Sequence, residues 1–137
     1  MNNSPILVYL AYKFSYNATQ STKEARDMAI TLMRKHPDWI ILSPHYAVDV
    51  LLDGKLEWGE EDLKKWNTDD WRRFQAGFMA AGFLSRCDIM VLGCEPRYSE
   101  SHGVTWEFII ANMLNVSWRK DNPIKIMKYE EALNAKT

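Results

Sequence analysis

The sequence predicts an α/β fold of the Rossmann or flavodoxin type, with three layers built on a parallel sheet of four to five strands. Three observations predict it. Short apolar runs rich in strand formers recur at Ile6 to Ala11 (ILVYLA), Trp39 to Leu42 (WIIL) and Cys87 to Cys94 (CDIMVLGC), the pattern of strands buried on both faces. Between and after them lie stretches with apolar residues three and four apart, the period of a helix with one buried side. The two kinds of segment alternate, as parallel strands require, because each connection must cross over a face of the sheet.

Each element has its own signal. After Ile6 to Ala11, a helix runs from Ser21, with Ser21 or Thr22 as cap and Ala25, Met28, Ala29, Leu32 and Met33 on the inner side; Pro37 stops it. WIIL is the second strand, closed by Ser43-Pro44. From Pro44 to Trp66 the periodicity weakens around the Asp53-Gly54 turn and GEEDLKKW, an excursion that reads as a surface insertion or a lid. Trp71, Phe74, Phe78, Ala81 and Leu84 mark a second amphipathic helix, capped by Thr68 or Asp69. CDIMVLGC is the third strand, and a helix spans about Ser101 to Asn115. Pro123 to Met127 forms a fourth short strand, and KYEEALNA a terminal helix.

With 137 residues, 47% of them hydrophobic and 26% charged, the chain reads as a single domain over residues 1–137 with a full core. Its 17 basic and 18 acidic residues leave a formal charge of -1, which gives duplex nucleic acid or an anionic membrane nothing to grip. No apolar run is long enough to cross a bilayer, and MNNSPILVYLAY lacks the basic start of a signal peptide. A cytoplasmic protein is expected. Cys87 and Cys94 stand at opposite ends of a strand, roughly 20 Å apart and too far for a disulfide, and both read as reduced core residues. With His36, His45 and His102 they share no metal-ligand spacing, so neither a metal nor an organic cofactor is expected. Trp58, Trp66 and Trp71 cluster in a charged stretch, where they serve the core or line a ring-binding pocket.

In open α/β sheets ligands bind beyond the carboxyl ends of the strands, where strand order reverses. The loops at Ala11 to Tyr16 and Glu95 to Ser101 are expected to follow the two central strands and to face each other. In the second, Ser101 can cap the next helix, and Gly103 lets an anion approach the backbone N–H groups of its first turn; capping alone also explains the serine. Glu107 shares a helical stripe with Val104, Phe108, Ala111 and Asn115. A carboxylate there is either a paired structural group or a functional one, because burying an unpaired charge costs several kcal/mol. Opposite it, Tyr9 can orient the carboxylate, while Lys13 and Ser15 can meet a phosphate.

Together these motifs resemble the nucleoside 2-deoxyribosyltransferase-like superfamily, which includes nucleoside 5'-monophosphate N-glycosidases and related small phage proteins. The resemblance runs from Tyr9-Leu10-Ala11 and the aromatic Phe14, through Cys87-Asp88 and its apolar run, to Ser101, Gly103 and Glu107 with Ala111 one turn on. It implies that Glu107 is the nucleophile at an anomeric carbon and Tyr9 its positioner. It also implies that Ala11, Tyr12, Lys13, Phe14, Ser15, Ser101 and Gly103 bind substrate; beside that resemblance, the tryptophans or His45 are candidates to stack on the base. Ser101, six residues before the glutamate, resembles the branch that binds a 5'-phosphate. Two features depart from the family. Tyr12-Lys13 replaces its Gly-Pro, and GFMAAGFLSRCD lacks the acid/base aspartate expected before the third strand, leaving Asp69 or Asp70 as candidates. The expected activity is therefore N-glycosidase or deoxyribosyltransferase on a (deoxy)nucleoside 5'-monophosphate. The alternative is a non-catalytic nucleotide-binding or sequestering protein. The partners expected are a small nucleoside or nucleotide and a second copy in a homodimer or higher homo-oligomer, which the apolar circumference of the Ser101 to Asn115 helix would suit.

Overall fold

Four strands, β1 (Ile6–Ala11), β2 (Trp39–Leu42), β3 (Ile89–Leu92) and β4 (Lys125–Lys128), form one all-parallel sheet in the order β2-β1-β3-β4. The structure is a computed structural model and describes residues 5–13, 18–45 and 82–136. Within these residues three helices accompany the sheet: α1 (Ala18–Lys35), α2 (His102–Val116) and α3 (Tyr129–Asn134). The architecture is thus the expected α/β fold with a four-stranded parallel sheet.

Strand alternation divides the core between the two faces. In β1, Val8 and Leu10 point to the side of α1 and α3, where they join Ala29, Leu32, Ile41, Val91 and Ala132. Tyr9 and Ala11 point to the other side and join Met90, Leu92, Val104 and Ala111 under α2. A period of two on both central strands is what makes their sequences read as continuous apolar runs.

Several boundaries differ from the sequence expectation. Helix α1 starts at Ala18, one turn early, and Ser21 and Thr22 are buried inside it instead of capping it; tertiary burial of these small side chains overrides the local cap signal. Strand β4 starts at Lys125, not Pro123. Pro123 has no N–H to give a ladder, and Ile124 is held by Asn115, which accepts from its N–H at 2.7 Å and donates to its carbonyl at 3.0 Å. Of the helix expected from Thr68 only its last position, Leu84, is described, buried in a 3-10 turn at Leu84–Arg86. The remainder of that helix, the stretch after His45 and the three clustered tryptophans lie outside the described residues.

The Cys-Asp pair that opens the third apolar run is structural. Asp88 accepts from the Leu7 N–H through Oδ2 at 2.9 Å, and its own backbone N–H donates to the Leu7 carbonyl at 2.8 Å. Cys87 donates its thiol to the Leu84 carbonyl at 3.2 Å. These bonds fix the amino edge of the sheet, opposite the end where ligands bind in such folds. Among the described residues, no helix is long and apolar enough to cross a membrane.

Candidate functional site

Because β1 leads by α1 to one side of the sheet and β3 leads by α2 to the other, strand order reverses between β1 and β3. The crevice at a parallel sheet's reversal point lies beyond the carboxyl ends of those strands, here at Tyr12-Lys13 and at Gly93 to Ser101. The two loops are joined at their base, where the Gly93 N–H donates to the Ala11 carbonyl at 2.8 Å. The approach is so close that a Cβ on Gly93 would lie 2.8 Å from the Tyr12 ring and 3.1 Å from Met28 Sδ.

Helix α2 begins at the mouth of this crevice. Ser101 is its N-cap, accepting from the Val104 N–H at 3.2 Å, while the Ser101 carbonyl accepts from both the N–H and the hydroxyl of Thr105. Capping uses the serine oxygen as acceptor and leaves its hydroxyl hydrogen able to donate outward. The half-buried Gly103 lies in the first turn, where helical N–H groups have no intrahelical acceptor. Tyr98 and His102 stand edge to face at 4.7 Å on the outer side of the loop.

Glu107 lies one turn deeper. It is 5% exposed, on the inner stripe with Val104 and Ala111, and among the described residues its Oε2 accepts no hydrogen bond. Burial pushes its carboxyl up to about 8, partly offset by the phenol of Tyr9 facing it. The Tyr9 phenol is itself driven well above the usual tyrosine range by burial first, and then by Glu107 and Cys87. Tyr9 comes from β1 and Glu107 from α2, so the tyrosine-carboxyl pair bridges sheet and helix. Cys94 lies at the same end. It packs against the α2-side core, and burial raises its thiol pKa. The Lys13 backbone and ammonium act in the opposite direction, and Glu100 and Glu107 add to the rise.

The candidate residues are thus divided. Tyr9, Ala11, Ser101, Gly103 and Glu107 lie on the α2 side, with Lys13 near Cys94 at the carboxyl end of β3. Tyr12 turns to the other side, where its phenol donates to Glu24 Oε2 of α1 at 2.7 Å. His45 is fully buried, and its Nε2–H donates to the Tyr12 carbonyl at 3.0 Å. Burial lowers its pKa to about 4, so the ring is neutral and fixes the loop after β1, with no ring face open to a ligand. Phe14, Ser15, Asp69 and Asp70 lie outside the described residues.

Sequence reasoning placed Cys94 in the core and did not single out Tyr98. The available signal for Cys94 was its place two residues beyond the end of a central strand. Among the described residues no group of three or more His, Cys, Asp and Glu side chains is arranged to hold a metal. No protein-family model, curated protein or solved structure matches the chain.

Proposed function

We propose that the chain is an N-glycosidase or deoxyribosyltransferase acting on the N-glycosidic bond of a (deoxy)nucleoside 5'-monophosphate, as part of a homo-oligomer. One observation carries the reading: a buried carboxyl with an unengaged oxygen, faced by a buried phenol, at the reversal point of a parallel sheet. In this reading the phosphate meets the Ser101 hydroxyl, the first-turn N–H groups about Gly103 and the Lys13 ammonium. Six residues of helix separate Ser101 from Glu107, about 9 Å along the axis, room for a sugar between phosphate and carboxyl. Glu107 attacks the anomeric carbon as its bond to the base breaks, and water or a second base later opens the glycosyl ester. Tyr9 orients the carboxylate. Asp69 or Asp70 is the candidate group that protonates the leaving base.

The non-catalytic alternative also has an observation behind it. A carboxyl held protonated to about pH 8 is a poor nucleophile at neutral pH, yet it hydrogen-bonds well to a sugar hydroxyl. Incubation with a panel of nucleosides and 5'-monophosphates, with free base measured by chromatography, separates the two. Release by the parent chain that falls at least a hundredfold in Glu107→Ala is the expected outcome. Equal release by both chains would remove Glu107 as nucleophile, and a raised melting temperature without release would establish the sequestering protein.

A further inference from the structure

The loop that leaves β1 is fixed from the side of the sheet away from Glu107. Tyr12 turns towards α1 and is 7% exposed, and its phenol donates to Oε2 of the half-buried Glu24 at 2.7 Å. Its carbonyl accepts from Nε2 of the fully buried His45 at 3.0 Å. The histidine is itself held: the Thr22 hydroxyl of α1 stands 3.5 Å from its Nδ1, and its backbone N–H donates to Ser43 Oγ at 3.4 Å. The Tyr12 ring also lies over Gly93, so closely that a Cβ there would come within 2.8 Å of it. Helix α1, the chain after β2 and the chain after β3 therefore meet at one residue.

Successive residues of an extended chain point to opposite faces. With Tyr12 turned to α1, Lys13 is turned to the α2 side, where its backbone and ammonium act on the Cys94 thiol. The strand ends at Ala11, so Lys13 takes its direction from the residue before it. A phenol bonded to a carboxylate makes a charge-assisted bond, short and directional. It fixes where the ring sits as well as burying it.

We infer that Tyr12, locked by Glu24, is a positioning residue for the crevice: it sets the loop after β1 from behind and so aims Lys13 at the place an anion takes beside Ser101. In this role Tyr12 and Glu24 meet no ligand and act through Lys13. That Lys13 serves a 5'-phosphate rests on the nucleotide reading. The lock itself does not, because it also governs how readily the loop opens over Cys94.

Timed labelling of the full chain with a thiol reagent, read by peptide mapping, tests the lock without a ligand. Tyr12→Phe keeps the ring and removes the bond. The native-state rate at Cys94 should then rise about tenfold or more, because the opening that exposes Cys94 no longer breaks a bond to a charged acceptor. Glu24→Ala should match it, while Glu24→Gln, which keeps an acceptor oxygen, should stay closer to the parent chain. Asn115→Ala weakens the fold at the amino end of the sheet, through Ile124, and should leave the Cys94 rate unchanged. A Cys94 rate unaltered by Tyr12→Phe, or raised as much by Asn115→Ala, overturns the inference, since the bond would then add only general stability. In a second arm the four common 2'-deoxynucleoside 5'-monophosphates and the matching nucleosides are titrated against the parent and Tyr12→Phe chains, with melting temperature as readout. Tyr12→Phe should weaken the monophosphates about tenfold and the nucleosides less than about twofold, because a displaced Lys13 loses the phosphate alone. Equal weakening of both overturns the aim assigned to Lys13. A parent chain that binds none of them removes the nucleotide reading, and the Cys94 rate alone then decides the lock.

Discussion

Glu107 keeps its proton some three pH units beyond an ordinary glutamate, because burial, the larger influence, outweighs the phenol of Tyr9. That retention has a consequence for stability whether or not the residue catalyses. The unfolded chain releases this proton near pH 4.5 and the folded chain near 8. Between the two values the native state holds one proton more, so stability falls as pH rises, by about 1.4 kcal/mol per unit at most. The stabilisation is complete below 4.5 and lost by the time pH passes 8. Urea unfolding at pH 5.5, 7.0 and 8.5 should show this decline in the parent chain and a flatter profile in Glu107→Gln, which stays neutral throughout. An unchanged slope in the variant would assign the decline to other groups. Activity should run the opposite way. If Glu107 attacks as a carboxylate, kcat/KM climbs towards pH 8 as the free protein ionises, whereas a group acting as an acid would make it fall there.

Along α2, the sequence pattern and the packing agree on which face turns inward but not on what each inward residue does. The helical period placed Val104, Glu107, Ala111 and Asn115 together, and the first three are buried in the structure. It contained nothing about Ile124, because the Asn115 clamp depends on where the chain returns after the turn at Arg119. Arg119 holds that turn by donating to the carbonyls of Ser85 and Cys87 at 3.1 and 2.9 Å. Removing the clamp leaves the backbone N–H and carbonyl of a buried residue unpaired. Asn115→Ala should therefore cost about 2 to 3 kcal/mol, read as a lower urea midpoint. Asn112→Ala, on the solvent side of the helix and, among the described residues, bonded through its side chain only to the Phe108 carbonyl, should change stability by no more than about 0.5 kcal/mol. Equal losses would mean that Asn115 contributes only helix propensity. The early start of α1 has a related cause: Ser21 and Thr22 look like caps in sequence and become inner-face residues once the core covers them.

For the molecule as a whole, the two central strands and the crevice between them were legible, because buried parallel strands and the reversal rule depend on features that sequence carries directly. The sorting of residues within the crevice was less so. Tyr12 follows the parity of Val8 and Leu10 and so turns towards α1, a signal present in the alternation but hidden by the end of the strand. His45 gave no local sign of burial, since its partners come from β1's loop and α1. Cys94 was read like Cys87, yet the two thiols report on different parts of the fold. Cys87 is 2% exposed, bonded to Leu84 and pushed up to about 12, at the amino end of β3. Cys94 is half-buried beyond the carboxyl end, on the crevice. A thiol reagent should therefore modify Cys94 through local opening and Cys87 only through global unfolding, with rates at least a hundredfold apart in the native chain and similar in urea. A nucleoside 5'-monophosphate seated on Ser101 and Lys13 should slow Cys94 by direct cover, in excess of the slowing that general stabilisation gives Cys87. Peptide mapping after timed labelling reads both sites in one sample. Equal protection of the two would mean that the nucleotide binds and stabilises the fold elsewhere. Protection confined to Cys94 would place it in the crevice between β1 and α2, since no other described thiol lies there.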